Sequence, residues 1–237
     1  MKYKYLIIIF FSVLSLLSIK VNGQAFKGML ILRGNISQLD GDQVYGYNRF
    51  GINTGLGVSA PLNNKRNILM SLEVLYNLLG AKEKGDPFQY DTRLGYISIP
   101  ILLHFEDKKG GWTFGAGLQY SRLIHFSENW GLSQDTIHWL DRPDMNTVKP
   151  FHKDDISVVL DVRFRIWEKL KFNFRYQYSI ISIRDKITYT NGFPATSPDF
   201  DSWQRNLYNN SLTIGLIYVI NERSTKALDR NINPDIY

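Results

Sequence analysis

From Asp155 to Tyr178 the chain alternates with a period of two. Ile156, Val158, Leu160, Val162, Phe164 and Ile166 are apolar, and between them stand Asp155, Ser157, Asp161, Arg163 and Arg165. After the link Trp167 to Leu170 the pattern resumes, with Phe172, Phe174, Tyr176, Tyr178 and Ile180 on one face and Lys171, Asn173, Arg175, Gln177 and Ser179 on the other. Successive side chains of a strand point to opposite faces, so this stretch predicts a hairpin whose two faces meet different surroundings. A membrane barrel turns such an apolar band to lipid and its charges to the lumen. Strands of about 11 or more residues suit a tilted bilayer span better than the ~5–6 usual in soluble sheets.

The same pattern predicts about eight strands, the even number a closed bacterial barrel needs. They are Gly28 to Gln38, Asn48 to Pro61, Asn67 to Leu79, Tyr90 to Phe105, Trp112 to Phe126, Asp155 to Trp167, Lys171 to Ile183 and Leu207 to Ile220. The links at Leu62 to Arg66, Glu106 to Gly111 and Glu168 to Leu170 are short. Those at Leu39 to Tyr47, Gly80 to Gln89, Ser127 to Asp154 and Arg184 to Asn206 are longer. Short periplasmic turns and long outer loops are the rule in outer-membrane barrels. The expected fold is therefore all-β, a closed antiparallel eight-stranded transmembrane β-barrel of up-and-down topology over residues 26–220, with both termini periplasmic. Aromatics at strand ends predict two girdles: Phe105, Trp112, Trp167, Phe172 and Tyr218 on the periplasmic side, and Phe50, Tyr76, Tyr120, Tyr178 and Tyr208 on the outer side. Pro100 cannot donate to a ladder, and a closed barrel has no edge to hide it, so a bulge is expected there.

Composition narrows the setting. Lys2 and Lys4 precede an apolar run from Leu6 to Ile19, and small residues Gly23 and Ala25 follow, the pattern of a secretory signal peptide over residues 1–25. The run is shorter than the ~20 residues of a spanning helix. There is no cysteine, which removes disulfides, thiol nucleophiles and Cys-ligated zinc. The net charge of +6 does not argue for nucleic acid, because export separates the chain from it and the arginines lie on strand faces. No cofactor is expected. The setting that follows is the outer membrane of a Gram-negative bacterium, with outer-membrane lipid as the first partner.

One stretch also resembles a known family. Tyr96-Ile97-Ser98-Ile99-Pro100-Ile101-Leu102-Leu103, preceded by Leu72-Glu73-Val74-Leu75-Tyr76 and followed by Phe114-Gly115-Ala116-Gly117, is similar to PorT-like outer-membrane β-barrels of Bacteroidetes-type bacteria. Gly34 to Asp42 and Arg175-Tyr176-Gln177-Tyr178 share the likeness. The resemblance implies an outer-membrane barrel and, through the namesake member, a role beside the type nine secretion system. The polar tail 221–237, expected to be periplasmic, departs from the usual family ending.

Alternation places Arg33, Asn53, Glu73, Gln119, Asp161, Arg163, Arg165, Asn173, Arg175 and Gln177 inside the barrel, with Gly51, Gly55, Gly57, Gly115 and Gly117 leaving room for them. Read functionally this is an anion-selective or substrate channel. Read structurally it is an ion-pair network, since an eight-stranded interior is only wide enough for side chains to fill. His125, Ser127 and the adjacent Glu128 form the one enzyme-like spacing, similar to eight-stranded lipid A deacylases, but alternation turns His125 and Ser127 inward. His104, His138 and His152 lack metal-ligand spacing. No catalytic group or metal site is expected. Trp130, Trp139 and Trp203 lie in the predicted outer loops among polar residues, as candidate anchors for a protein partner or a surface glycan. The expected role is a scaffold or binding protein, an accessory of a secretion or surface-assembly machine. A small-solute channel and a lipid A-modifying hydrolase are the alternatives.

Overall fold

The computed structural model describes residues 26–42, 44, 46–83, 90–107, 109–129, 142–143 (backbone), 148–190, 196–198 and 201–221. The expected signal peptide, most of the tail, Trp130, Trp139 and His138 lie outside them. Ten strands follow in order: β1 (Lys27–Asp40), β2 (Arg49–Pro61), β3 (Ile68–Lys82), β4 (Asp91–Glu106), β5 (Trp112–Asn129), β6 (Arg142–Pro143), β7 (Asp154–Arg165), β8 (Leu170–Ser179), β9 (Arg184–Thr190) and β10 (Ser202–Val219). All but β6 and β9 form a closed eight-stranded antiparallel barrel, each pairing with the next, and β10 returns to β1 with Met29 opposite Val219. Both ends of the barrel chain therefore lie beside the short turns, at what is called here the turn end. The opposite rim is the loop end.

Alternation sets the register because a slip of one residue would put the charges of β7 and β8 into lipid. Leu160 and Leu56 face out, 51% and 61% exposed, while Glu73 and Asn173 are fully buried. On β4 the outward apolar side chains run without interruption from Phe105 to Ile97. That stretch fits the roughly 9–11 residues of a tilted bilayer-spanning strand. Beyond Ile97 the outward positions of β4 are Gly95, Arg93 and Asp91, so the apolar band ends there. The strands continue past it towards the loop end.

Three expectations need correction. Pro100 stays in register opposite Gln119, and the ladder to β3 merely lapses between the pairs Leu72 with Ile101 and Leu75 with Ser98. The bulge falls instead between Gly95 and Tyr96, opposite Leu123 to His125 of β5. The strand expected to reach Ile183 ends at Ser179, because adjacent Ile180 and Ile181 break the alternation and the chain turns to bury Ile183. Residues 184–206, expected as an unstructured loop, hold β9, which pairs with an extended β10 and with β6.

The interior is layered. Met29, Ile31, Leu75, Ile217 and Val219 form an apolar patch on the β10, β1 and β3 side of the lumen, at the level of the charges, where Arg163 donates to Met29 Sδ at 3.4 Å. Charged side chains fill the middle, followed by a layer of Asn, Gln and Ser. Above these, Leu39, Leu79, Leu94, Tyr96, Ile183, Ile187, Tyr189 and Leu207 pack with Tyr90 and Phe151 into an apolar roof. This roof is a second core, built where the strands outrun the membrane.

Candidate functional site

Six side chains from four strands meet at the centre of the lumen. Arg33 of β1 reaches Glu73 of β3 at 3.2 Å, and Arg163 of β7 reaches the same carboxylate at 2.8 Å. Arg175 of β8 approaches Glu73 at 2.9 Å and donates its Nε to Asp161 at 2.8 Å. Arg163 donates its own Nε to Asp161 at 2.6 Å. Asn173 accepts from Arg33 at 2.6 Å and donates to Asp161 at 3.0 Å. Three guanidinium groups thus share two carboxylates, away from water, and the alternation of one hairpin supplies four of these partners. Gly57 stands across from this layer because a Cβ there would approach Glu73 Cγ to 3.0 Å.

The other inward residues spread along the axis. Gln177 accepts from Asn77 at 3.3 Å and donates to Ser157 at 3.2 Å. Gln119 donates to Ser121 at 3.1 Å, and Asn53 is buried with its side-chain oxygen unpartnered. Arg165 sits apart at the turn end, half-buried, where it and Lys171 both donate to Glu106, at 3.1 and 2.9 Å. Glu106, Lys171 and His104, which is 2.8 Å from Ser71 and buried, were legible by the same alternation and extend the network. Asp155 belongs to the same polar face, but its partner Asn209, which donates to it at 3.1 Å, was not singled out by that alternation.

At the loop end Arg184 donates two hydrogen bonds to Glu128, at 2.6 and 2.7 Å, and lies 3.5 Å from the ring centre of Phe151. No spacing in the sequence announces this pair. It arises from the bulge in β5 and the kink before β9. Asp42, just past β1 and beyond the apolar band, is buried, and burial pushes its carboxyl up from the ordinary 3.8 to about 8. Burial likewise raises the Tyr90 phenol well above its usual range. Trp203, expected in a loop, lies on β10, half-buried against the roof and stacked on Tyr189 with ring centres 6.5 Å apart.

The enzyme-like spacing is also rearranged. The bulge reverses the alternation, so His125 and Ser127 face outward and are exposed, and the imidazole stacks on Tyr76 with ring centres 6.2 Å apart. Glu128 turns inward to Arg184, and among the described residues no hydrogen bond joins His125 to Ser127. A relay of base, hydroxyl and carboxylate is not assembled. Among the described residues no three His, Cys, Asp or Glu side chains gather as a metal site.

A family model described as an outer membrane protein beta-barrel domain matches residues 20–185, well over half of the chain. The chain belongs to this family. As an outer membrane barrel protein it resides in the outer membrane, its apolar band in lipid. Its fold is similar to that of Neisserial surface protein A, at 13% identity over 82% of this chain and 97% of that one, with a TM-score of 0.46. It is also similar to Ail, the attachment invasion locus protein of Yersinia pestis, at 10% identity over 83% and 99% of the two chains, TM-score 0.43. A further likeness is to OprG of Pseudomonas aeruginosa, at 12% identity over 83% and 96%, TM-score 0.37. A comparison with curated proteins finds no match.

Proposed function

We propose that this outer membrane barrel is a scaffold that presents its loop end, facing out of the cell, to a protein or surface glycan. The observation that carries this reading is the division of labour along the axis. The lumen is filled by the Arg33, Glu73, Asp161, Arg163 and Arg175 network, packed beside an apolar patch and beneath an apolar roof. That interior leaves the wall no transport task. The strands nevertheless outrun the membrane and support a core of their own, a rigid base of the kind on which binding loops sit. Trp203 and Tyr189 belong to that base. Trp130 and Trp139, on the long connection between β5 and β7, are the further candidate anchors.

Short turns at one end and long connections at the other support a periplasmic turn end, and with it a signal peptide over 1–25 and a periplasmic tail over 221–237. The PorT-like resemblance supports a partner within a secretion or surface-assembly machine. The test is crosslinking from native membranes with the wild type and with a variant whose 130–147 and 191–200 segments are replaced by short Asn-Gly turns. The proposal expects assembly to survive and partner recovery to be lost. Unchanged recovery would move the binding face to the tail.

A further inference from the structure

Just above the apolar band, the outward face of β3, β4 and β5 carries more positive charge than it balances. Asp91 is shared. Arg49 holds its Oδ1 at 2.8 Å, which leaves Arg93 at 3.7 Å from Oδ2, beyond hydrogen-bonding distance. Lys82 stands opposite Asp91 in register and is exposed, and the Arg93 side chain is 56% exposed. One carboxylate therefore serves three cations. On β5, Ser127 lies directly opposite Arg93, and His125 lies opposite Gly95. Arg122 and Asp154 close the flank as a pair at 2.6 Å, with the Tyr120 hydroxyl donating to the same carboxylate oxygen at 2.6 Å.

This face is built by a backbone device. Without the bulge, His125 and Ser127 would point into the barrel and the surface beside Arg93 would carry neither. Bulges commonly re-aim side chains in this way. Gly95 completes the arrangement, because a Cβ there would collide with the imidazole ring that now lies across the strand. Direct cross-strand partners have Cβ atoms about 5 Å apart and diagonal ones about 7–8 Å, so Lys82, Arg93, His125 and Ser127 can all reach one small anion.

Depth decides which anion is at hand. On β4 the apolar band ends at Ile97, level with Tyr76, its partner on β3, and the cluster begins one residue pair higher, beside the exposed Ile124 and Phe126 of β5. Amphipathic rings mark the headgroup zone, so the four side chains lie at and just above it, facing sideways into the leaflet rather than up into solvent. We infer that this patch binds the phosphate of a phosphorylated lipid of the outer leaflet. Arg93 and Lys82 supply the charge, and Ser127 and His125 donate hydrogen bonds. The inference rests on the outward orientation of the loop end proposed above.

The purified barrel in detergent is titrated with diphosphoryl lipid A, with the same lipid after removal of its phosphates, and with inorganic phosphate, and binding is read by native mass spectrometry. Heat-shifted gel mobility checks that every variant is folded. The wild type binds the diphosphoryl lipid more tightly than the dephosphorylated one. Arg93→Gln weakens it about fivefold and Lys82→Gln by a similar factor, the scale of one basic side chain at an anionic lipid surface. Lys109→Gln, at the turn end, changes nothing. Equal binding of the dephosphorylated lipid, or unchanged affinity in folded Arg93→Gln, overturns the inference, as does displacement of the lipid by inorganic phosphate at similar concentration. Orientation is read separately, by protease added to intact cells. A protected loop end would refute the outward orientation and the outer leaflet as the source, while the detergent titration still reports whether the site binds lipid phosphate.

Discussion

Glu73 meets three guanidinium groups at once, and its side chain is fully buried. Removing one partner of a buried ion network leaves the others uncompensated, which costs far more than the network contributes against an apolar core. Glu73→Ala is therefore expected to destabilise the barrel by about 3–5 kcal/mol, read as a shift in urea unfolding in lipid vesicles. Leu160→Arg, on the opposite face of the wall and 51% exposed to lipid, is expected to cost about 2–4 kcal/mol by putting charge into the bilayer. Gln177→Asn is expected to be mild, because Asn77 and Ser157 can follow a shortened amide. If Leu160→Arg were as mild as Gln177→Asn, that face of β7 would not lie in lipid.

Single elements differ in how plainly the sequence announces them. The β7–β8 hairpin is legible from Ile156 to Ser179, because within the two strands every outward apolar side chain but Val158 is followed by a polar one that must be inside. The bulge at Gly95 and the kink at Ile180 are not, since each changes the parity within a stretch whose composition stays the same. His125, Ser127 and Glu128 therefore swap faces relative to simple alternation, and the Arg184–Glu128 pair follows from two such changes together. The loop-end roof is the element on which acidity acts. Asp42 holds its proton in the folded roof up to about 8 but releases it in the unfolded chain near 3.8. Its contribution is complete below the lower value, declines as pH rises between the two, and is gone above the upper. Asp42→Asn should remove this dependence. The ratio of wild-type to variant nicking rates by protease at the loop ends should rise as pH goes from about 5 to about 8, and then level off. A ratio of rates that does not change with pH would show that Asp42 has water or a cation beside it.

For the whole molecule, the layers of the interior lie in series along one axis. A solute crossing the barrel would have to pass the ion network, with Met29, Ile31, Leu75, Ile217 and Val219 packed beside it, and then the roof around Tyr96, Tyr189 and Leu207. Each layer resists for a different reason. The apolar roof offers an ion no replacement for its hydration, and the charged layer already satisfies its guanidinium groups with fixed carboxylates, so an entering anion must break pairs to gain others. Barriers in series mean that opening one leaves the path closed. In planar bilayers the wild type is expected to show no large, stable single-channel currents. Tyr189→Ala with Phe151→Ala, which thins the roof alone, is expected to remain silent while becoming easier to nick at the loop end. A channel whose gate was the roof would conduct in that double variant, and steady currents there would return the barrel to the solute-channel reading and leave the scaffold without its main support.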